Sequence, residues 1–199
     1  MKIIFVRHGD AVNAKGHFHG QTDEPLTESG KKEAVEISNT VKKLGVNKII
    51  SSPLKRAYQT AEIICDKLKL SPFTKNNALI AWDLGNFIGQ PHAKCLAQVK
   101  HYIEHPNLKV PGGEAFSRFA DRVITFLDSH KTDNGLLLVT HGRNILVAEA
   151  WCKSGRKGNK YDSSVLLKAH DTTQHGGYAL MDDNGFKIVD AEKVAGGRS

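Results

Sequence analysis

The sequence predicts an α/β domain on a mainly parallel sheet, and three observations carry that expectation. Apolar runs of strand length alternate with segments of helical period, the pattern of sheets whose strands are joined through helices. Two of those runs deliver a His-Gly pair at their C-terminal ends, His8-Gly9 and His141-Gly142. The composition is that of a folded chain: 199 residues, 40% hydrophobic and 25% charged, enough to bury a core without disulfide staples.

Residues 2–6 are apolar, suit a buried strand and run into Arg7-His8-Gly9. After a polar loop, Thr27 is an N-cap candidate for a helix carrying Ala34, Ile37, Val41 and Leu44 on one face, with Gly45 as its stop. Lys48–Ser51 reads as a second strand. Ser52-Pro53 then reads as a helix start, with Pro at the first helical position and Leu54, Ala57, Ala61, Ile64 and Leu68 on the buried stripe. The stretch 71–113 is less regular, with one helix over about His92–His105. A further helix from about Glu114 puts Phe116, Phe119, Val123 and Phe126 on one side, most simply as core. Gly135–Thr140 is the clearest strand. Helix returns after Gly142, and short strands are expected at Tyr178–Met181 and Phe186–Val189.

Composition narrows the function classes. Cys65, Cys95 and Cys152 are odd in number and far apart, giving no disulfide framework and favouring a reducing compartment. No apolar stretch approaches a membrane span, and the N-terminal run is too short for a signal peptide, so a cytoplasmic location is expected. The net charge of +7 is scattered, and aromatic content is 7%, so nucleic-acid binding is not expected and an anionic small molecule is the better partner.

The chemistry sits at the strand ends. In open α/β sheets ligands bind outside the carboxyl edge of the strands, and Gly9 and Gly142 let backbone approach a ligand there. Arg7 and Arg56, the latter just beyond the Lys48–Ser51 strand, offer the forked donors that suit phosphate oxygens. Two imidazoles and two guanidiniums around one point suit phosphoryl transfer, with His8 as nucleophile and His141, if protonated, adding positive charge. His17 and His19 could suggest a metal, but two histidines in a polar loop are more simply solvent-facing, and no metal is expected.

Val6-Arg7-His8-Gly9, Asn13, Gly20, Asp23, Pro25-Leu26-Thr27, Gly30, Ser51–Ala61 (SSPLKRAYQTA), Pro111–Glu114 and Val139–Gly142 follow one another in an order that resembles the histidine phosphatase superfamily, the phosphoglycerate mutase-like proteins. The resemblance implies a three-layer sandwich with a mainly parallel central sheet flanked by helices. It implies one domain over residues 1–199, with about 71–113 as a substrate-covering insertion. It also implies that His8 is the phosphorylated nucleophile, that Arg7, Arg56 and His141 form the phosphate pocket, and that Asn13 and the backbone of Gly20, Gln21 and Thr22 touch phosphate or substrate. No cofactor is implied.

Asp10, His17 and His19 depart from the family pattern mildly. Ala81 departs seriously, because relatives carry there a Glu that protonates the leaving oxygen. Asp83 is the nearest carboxylate, on Ala81's side if the segment is extended; Glu114 is more distant. The expectation is a phosphatase acting on a small phosphorylated metabolite, as a monomer or homodimer. A mutase, a phosphohistidine phosphatase and a catalytically weak phospho-ligand sensor are the alternatives, the last two kept open by Ala81.

Overall fold

The computed structural model describes residues 1–13, 15–70, 72–167 and 177–189. Six strands form one sheet: β1 (Lys2–Arg7), β2 (Lys48–Ser51), β3 (Thr74–Lys75), β4 (Asn134–Thr140), β5 (Tyr178–Asp182) and β6 (Gly185–Val189), in the order β3-β2-β4-β1-β5-β6. The first four are mutually parallel, and β5 and β6 extend the sheet antiparallel beyond β1. Among the described residues six helices accompany them: α1 (Glu28–Lys42), α2 (Lys55–Leu68), α3 (His92–Glu104), α4 (Phe116–Ser129), α5 (Gly142–Lys153) and α6 (Ser163–Leu167).

The continuous apolar runs of β1 and β4 are explained by burial on both faces. Ile4 and Val6 of β1, with Leu137 and Val139 of β4, pack against Ile37 and Val41 of α1 and Ala57, Ala61 and Ile64 of α2. Ile3, Phe5, Leu136 and Leu138 turn the other way, onto Phe116, Phe119, Val123 and Leu127 of α4 and Trp151 of α5. The result is the expected three-layer sandwich.

Register sets the site. Arg7 lies opposite Thr140, and Ser51 and Val6 both lie opposite Val139. The ladder continues one step past the strands, with His8 N–H donating to Thr140 O at 3.0 Å and Ser52 N–H to Val139 O at 2.9 Å. His8, Ser52 and His141 therefore leave the sheet at one edge. Gly9 and Gly30 allow the chain after β1 to cross the start of α1 backbone on backbone: a Cβ on Gly9 would collide with Gly30 O, and one on Gly30 with Asp10 O. Thr27 caps α1 as expected, accepting from Gly30 N–H at 3.0 Å while its hydroxyl donates to Asp10 Oδ2 at 2.9 Å.

Two helix starts differ from the sequence expectation. α2 begins at Lys55, not at Pro53, because Ser52 is drawn into the β4 ladder; Asp23 Oδ1 instead accepts the Lys55 N–H at 2.7 Å. α4 begins at Phe116, because the Glu114 N–H donates to Asp83 O and its carboxylate accepts from Arg122. The segment entering 77–81 is held through its carbonyls. Arg122 Nη1 donates to Asn77 O, Ala78 O and Ile80 O, and Thr140 and Asn144 both donate to Leu79 O. Ala81 and Trp82 are thereby laid over the sheet edge.

Candidate active site

A cavity of about 380 Å³ opens at that edge. Arg7, His8, Arg56, His141 and Gly142 line it, so five of the residues expected at the site come together. Gly20 lines it as well, from the loop before α1.

The hydrogen bonds around His8 specify its tautomer. Nδ1 lies 2.8 Å from Gly9 O, a carbonyl that can only accept, so Nδ1 carries the proton. Arg56 Nε, which can only donate, lies 3.2 Å from His8 Nε2. Nε2 is therefore the lone-pair nitrogen. Burial, then the positive surroundings of His141, Arg56 and Arg7, hold the His8 pKa well below the ordinary imidazole value, so the ring is neutral at pH 7.

His141 packs edge-on to His8 with ring centroids 5.2 Å apart. Its Nε2 is 2.8 Å from Ser52 Oγ, which also accepts the Leu54 N–H at 3.4 Å. The Ser52 hydroxyl can donate to Nε2 or accept from it; in the tautomer in which it donates, the hydrogen of His141 is on Nδ1. That nitrogen is buried and has no partner among the described residues, so in that tautomer it is a donor free for a bound oxygen. Burial, then Arg56 and Arg7, depress the His141 pKa too.

Arg56 is 2% exposed, and burial lowers its pKa to about 10. Nη2 donates to Gly20 O at 2.8 Å and Nη1 to Thr22 O, which with the bond to His8 uses three of its five N–H groups and aims the plane. Arg7 is half-buried, and desolvation lowers its pKa to about 10, opposed by the Glu33 carboxylate.

Other expected residues lie behind the cavity or away from it. Gln21 donates from Nε2 to Ala81 O at 2.9 Å, tying the two loops together, and Thr22 serves through its carbonyl. Gly9 holds His8 by its carbonyl. Asn13 is exposed, with φ of 59°, and its carbonyl lies 2.9 Å from His19 Nε2. Asp83 is not brought to the cavity: Ala81, Trp82 and Leu84 line it instead. The Asp83 Oδ1 accepts from Gly85 N–H at 3.1 Å, closing the turn before the 3₁₀ segment Gly85–Phe87, and its own N–H donates to Glu114 Oε1 at 3.1 Å. The chain turns directly after Asp83, and the carboxylate is drawn into that turn. Glu114 pairs with Arg122 at 2.9 Å.

Residues not singled out as site members also line the cavity: His17, Phe18 and His19 of the loop before α1, His92, Leu96 and Val99 of α3, and Arg143. The signal for Arg143 was present, since it directly follows His141-Gly142 at the start of a helix. No such signal existed for α3, whose approach depends on the whole insertion. Among the described residues, His101, Glu104 and His105 bring three possible metal-ligand atoms within 4.8 Å, exposed at the end of α3 and outside the cavity lining.

The fold and these residues match a superfamily of phosphatases and phosphomutases. The model of the histidine phosphatase superfamily (branch 1) matches residues 3–171, and the chain belongs to that superfamily. It is 30% identical over 157 residues to "Probable phosphoglycerate mutase GpmB" of Escherichia coli O139:H28, covering 71% of this chain and 70% of the relative. The namesake of Proteus mirabilis is 31% identical, covering 74% and 69%. A mycobacterial glucosyl-3-phosphoglycerate phosphatase in complex with VO3 superposes with a TM-score of 0.76 at 22% identity over 95% of this chain and 97% of its own. A candidate alpha-ribazole-5′-P phosphatase of Escherichia coli K-12 gives 0.72 at 18%, over 96% and 95%. No helix of the described residues is long and apolar enough to cross a membrane.

Proposed function

We propose that the protein is a phosphatase that hydrolyses a small phosphorylated metabolite through a phosphohistidine on His8. The observation that carries this reading is the His8 tautomer: a neutral ring, with its proton tied back to Gly9 O and its Nε2 lone pair beside Arg56 in the cavity. Nε2 attacks phosphorus, and the P–O bond to the leaving alcohol breaks. Arg7, Arg56 and the Nδ1–H of His141 receive the developing charge on the equatorial oxygens. Water then attacks the phosphohistidine, phosphate leaves and neutral His8 returns.

The leaving oxygen needs a proton in the first step, and no carboxylate lines the cavity among the described residues. With Ala81 in place of an acid and Asp83 committed to Gly85, the role is vacant and water supplies the proton. The enzyme then works best on esters whose leaving group needs little protonation, such as aryl phosphates or phosphoramidates. Asp83 can act as the acid only by giving up its bond to Gly85 N–H. The mutase alternative draws on the names of the Escherichia and Proteus relatives, and the sensor alternative on Ala81.

The deciding experiment is rapid quench of the purified protein with 4-nitrophenyl phosphate. A burst of nitrophenol with acid-labile, alkali-stable phosphate on His8 is expected. Label on His141, or label retained in His8→Ala, would remove the assignment. Transfer of the label to a phosphoglycerate rather than to water would favour the mutase.

A further inference from the structure

The last turn of α3 and its C-cap carry three metal-binding side chains that the phosphoryl chemistry at His8 does not use. His101, Glu104 and His105 are exposed, and one ligand atom from each lies within 4.8 Å of the others. Their spacing of i, i+3 and i+4 puts them on one face, since residues three and four apart are neighbours on a helix. The other side of the helix is fixed. Val99 and Ile103 are buried in the core, and the Tyr102 ring packs edge-on to Phe87 with centroids 5.9 Å apart. The chain beyond the helix is fixed too, because the Ser117 N–H of α4 donates to Pro106 O at 2.8 Å. The backbone that carries the three side chains is therefore held in place, and only their exposed ends have to move.

The rings are already set in the manner of ligands. His105 Nδ1 lies 3.0 Å from His101 O, a carbonyl that can only accept, so Nδ1 carries a proton and the lone pair of the neutral ring is on Nε2. A backbone carbonyl behind one ring nitrogen is a usual outer partner of a metal-binding imidazole, because it fixes tautomer and direction. The His101 ring lies beside that of His105, with centroids 4.2 Å and planes 38° apart. Among the described residues Glu104 makes no ion pair, so its carboxylate is not spent on a lysine or arginine. The carbonyls at the C-terminal end of the helix add a partial negative charge that favours a cation there. Tetrahedral zinc with bonds of about 2.0–2.1 Å holds its ligand atoms about 3.3 Å apart, a closure that exposed side chains make by rotation.

We propose that His101, Glu104 and His105 form a surface site for one divalent transition ion of the zinc type. Two imidazoles and one carboxylate suit Zn²⁺ and its borderline neighbours, whereas Mg²⁺ and Ca²⁺ seek oxygen ligands throughout. Three protein ligands leave a fourth position to water. The ion cross-links the last turn of α3 to its C-cap, just beyond the part of the helix whose His92, Leu96 and Val99 line the cavity.

Calorimetric titration of the full chain, free of any affinity tag and of phosphate, tests this with ZnCl₂ and with MgCl₂. Wild type is expected to bind one Zn²⁺ per chain more tightly than about 100 µM and to take up no Mg²⁺ at that strength. His101→Gln and His105→Gln should each weaken zinc binding at least about ten-fold, the scale on which loss of even an outer partner of a metal ligand registers. Glu104→Gln should weaken it by a smaller factor. The three side chains are exposed, so the variants keep the fold, and their melting without metal checks that. Zinc should raise the Tm of wild type, as a ligand of the folded state does, but not that of the double variant His101→Gln/His105→Gln. The cavity holds imidazoles as well, and the variants decide between the two places. A zinc affinity that survives the double variant puts the ion elsewhere and overturns the proposal. Wild type that binds no zinc at that strength overturns it too, as does an affinity unchanged in Glu104→Gln.

Discussion

At the edge of β1, β2 and β4 the cavity wall is wired from behind by backbone. Gly9 O holds the His8 ring, Gly20 O and Thr22 O hold the Arg56 plane, and Ser52, itself on the β4 ladder, holds His141. The opposite wall, from Ala81 to Val99, presents Ala81, Trp82, Leu84, Leu96 and Val99 with one imidazole, His92. His92 packs on Phe18 with ring centroids 4.4 Å apart. The first wall is preorganised for a group that every phosphate ester shares; the second is apolar and lacks an acid. Charged and polar groups are thus concentrated at the sheet edge, and apolar ones on the wall from Ala81 to Val99.

The largest expected effect breaks the first wall outright. His8→Ala should lower kcat/KM at least about 10⁴-fold for aryl and alkyl esters alike, the scale on which loss of a covalent nucleophile registers. An activity within ten-fold of wild type would place the nucleophile elsewhere. Arg56→Lys comes next, at about 10–10³-fold, because the charge stays while the aimed fork is lost. Steady-state kinetics on 4-nitrophenyl phosphate would read it, and an unchanged kcat/KM would detach Arg56 from the reacting group.

The second wall should respond only to leaving-group chemistry. Ala81→Glu is expected to raise alkyl-phosphate turnover while leaving aryl turnover nearly level, within a ceiling of about 10²–10⁴-fold for a positioned acid. Asp83→Asn should affect both esters equally, since the carboxylate holds Gly85 N–H rather than the substrate. A selective loss on the alkyl ester would instead make Asp83 the acid and overturn the vacant-acid reading.

The two walls also differ in how far they could be read from the chain. The sheet edge was legible because buried parallel strands are written as continuous apolar runs, and a strand's end delivers the next residues to a known place; Arg7, His8 and His141 follow from that. Arg56 was legible from the same logic, although α2 starts two residues later than Ser52-Pro53 suggests. What Ser52 does was not legible, because its partner His141 is 89 residues away and the contact exists only through the β4 register. The place of Asp83 was not legible, because its Oδ1 is taken up by the Gly85 N–H at the turn that follows it, a bond that alternation along an extended chain does not foresee. Arg143 could have been singled out by position, since it directly follows His141-Gly142.

A smaller effect sharpens the comparison at Ser52. Ser52→Ala removes the hydroxyl that, as a donor to Nε2, leaves the His141 proton on Nδ1, so kcat should fall by about five- to thirty-fold, the worth of one hydrogen bond to a reacting group. Ser52→Thr should restore most of it. Equal activity of Ala and wild type would show that His141 needs no such orientation.

The smallest expected effect is on stability, and it follows from the same buried imidazoles. In the fold His8 and His141 have pKa values well below the ordinary 6.5, chiefly because burial disfavours their charged forms. The unfolded chain takes up protons on both near pH 6.5 while the folded protein does not. Stability is therefore retained above that pH and lost as pH falls below it, by at most about 1.4 kcal/mol per pH unit for each ring. His92 is shifted in the same direction and adds to the trend, whereas the raised Glu33 carboxyl has the opposite sign. Glu33 takes effect nearer the carboxylate range, so the window from pH 7.5 to 5.5 is where the imidazoles dominate. Thermal melts at constant ionic strength across that window should show Tm falling with pH in wild type and falling less steeply in His141→Asn. Saturating phosphate should flatten the wild-type slope as well, because a dianion beside His141 favours its charged form and supplies the proton with a partner. A wild-type slope no steeper than that of the variant would mean that burial does not hold His141 neutral in the fold.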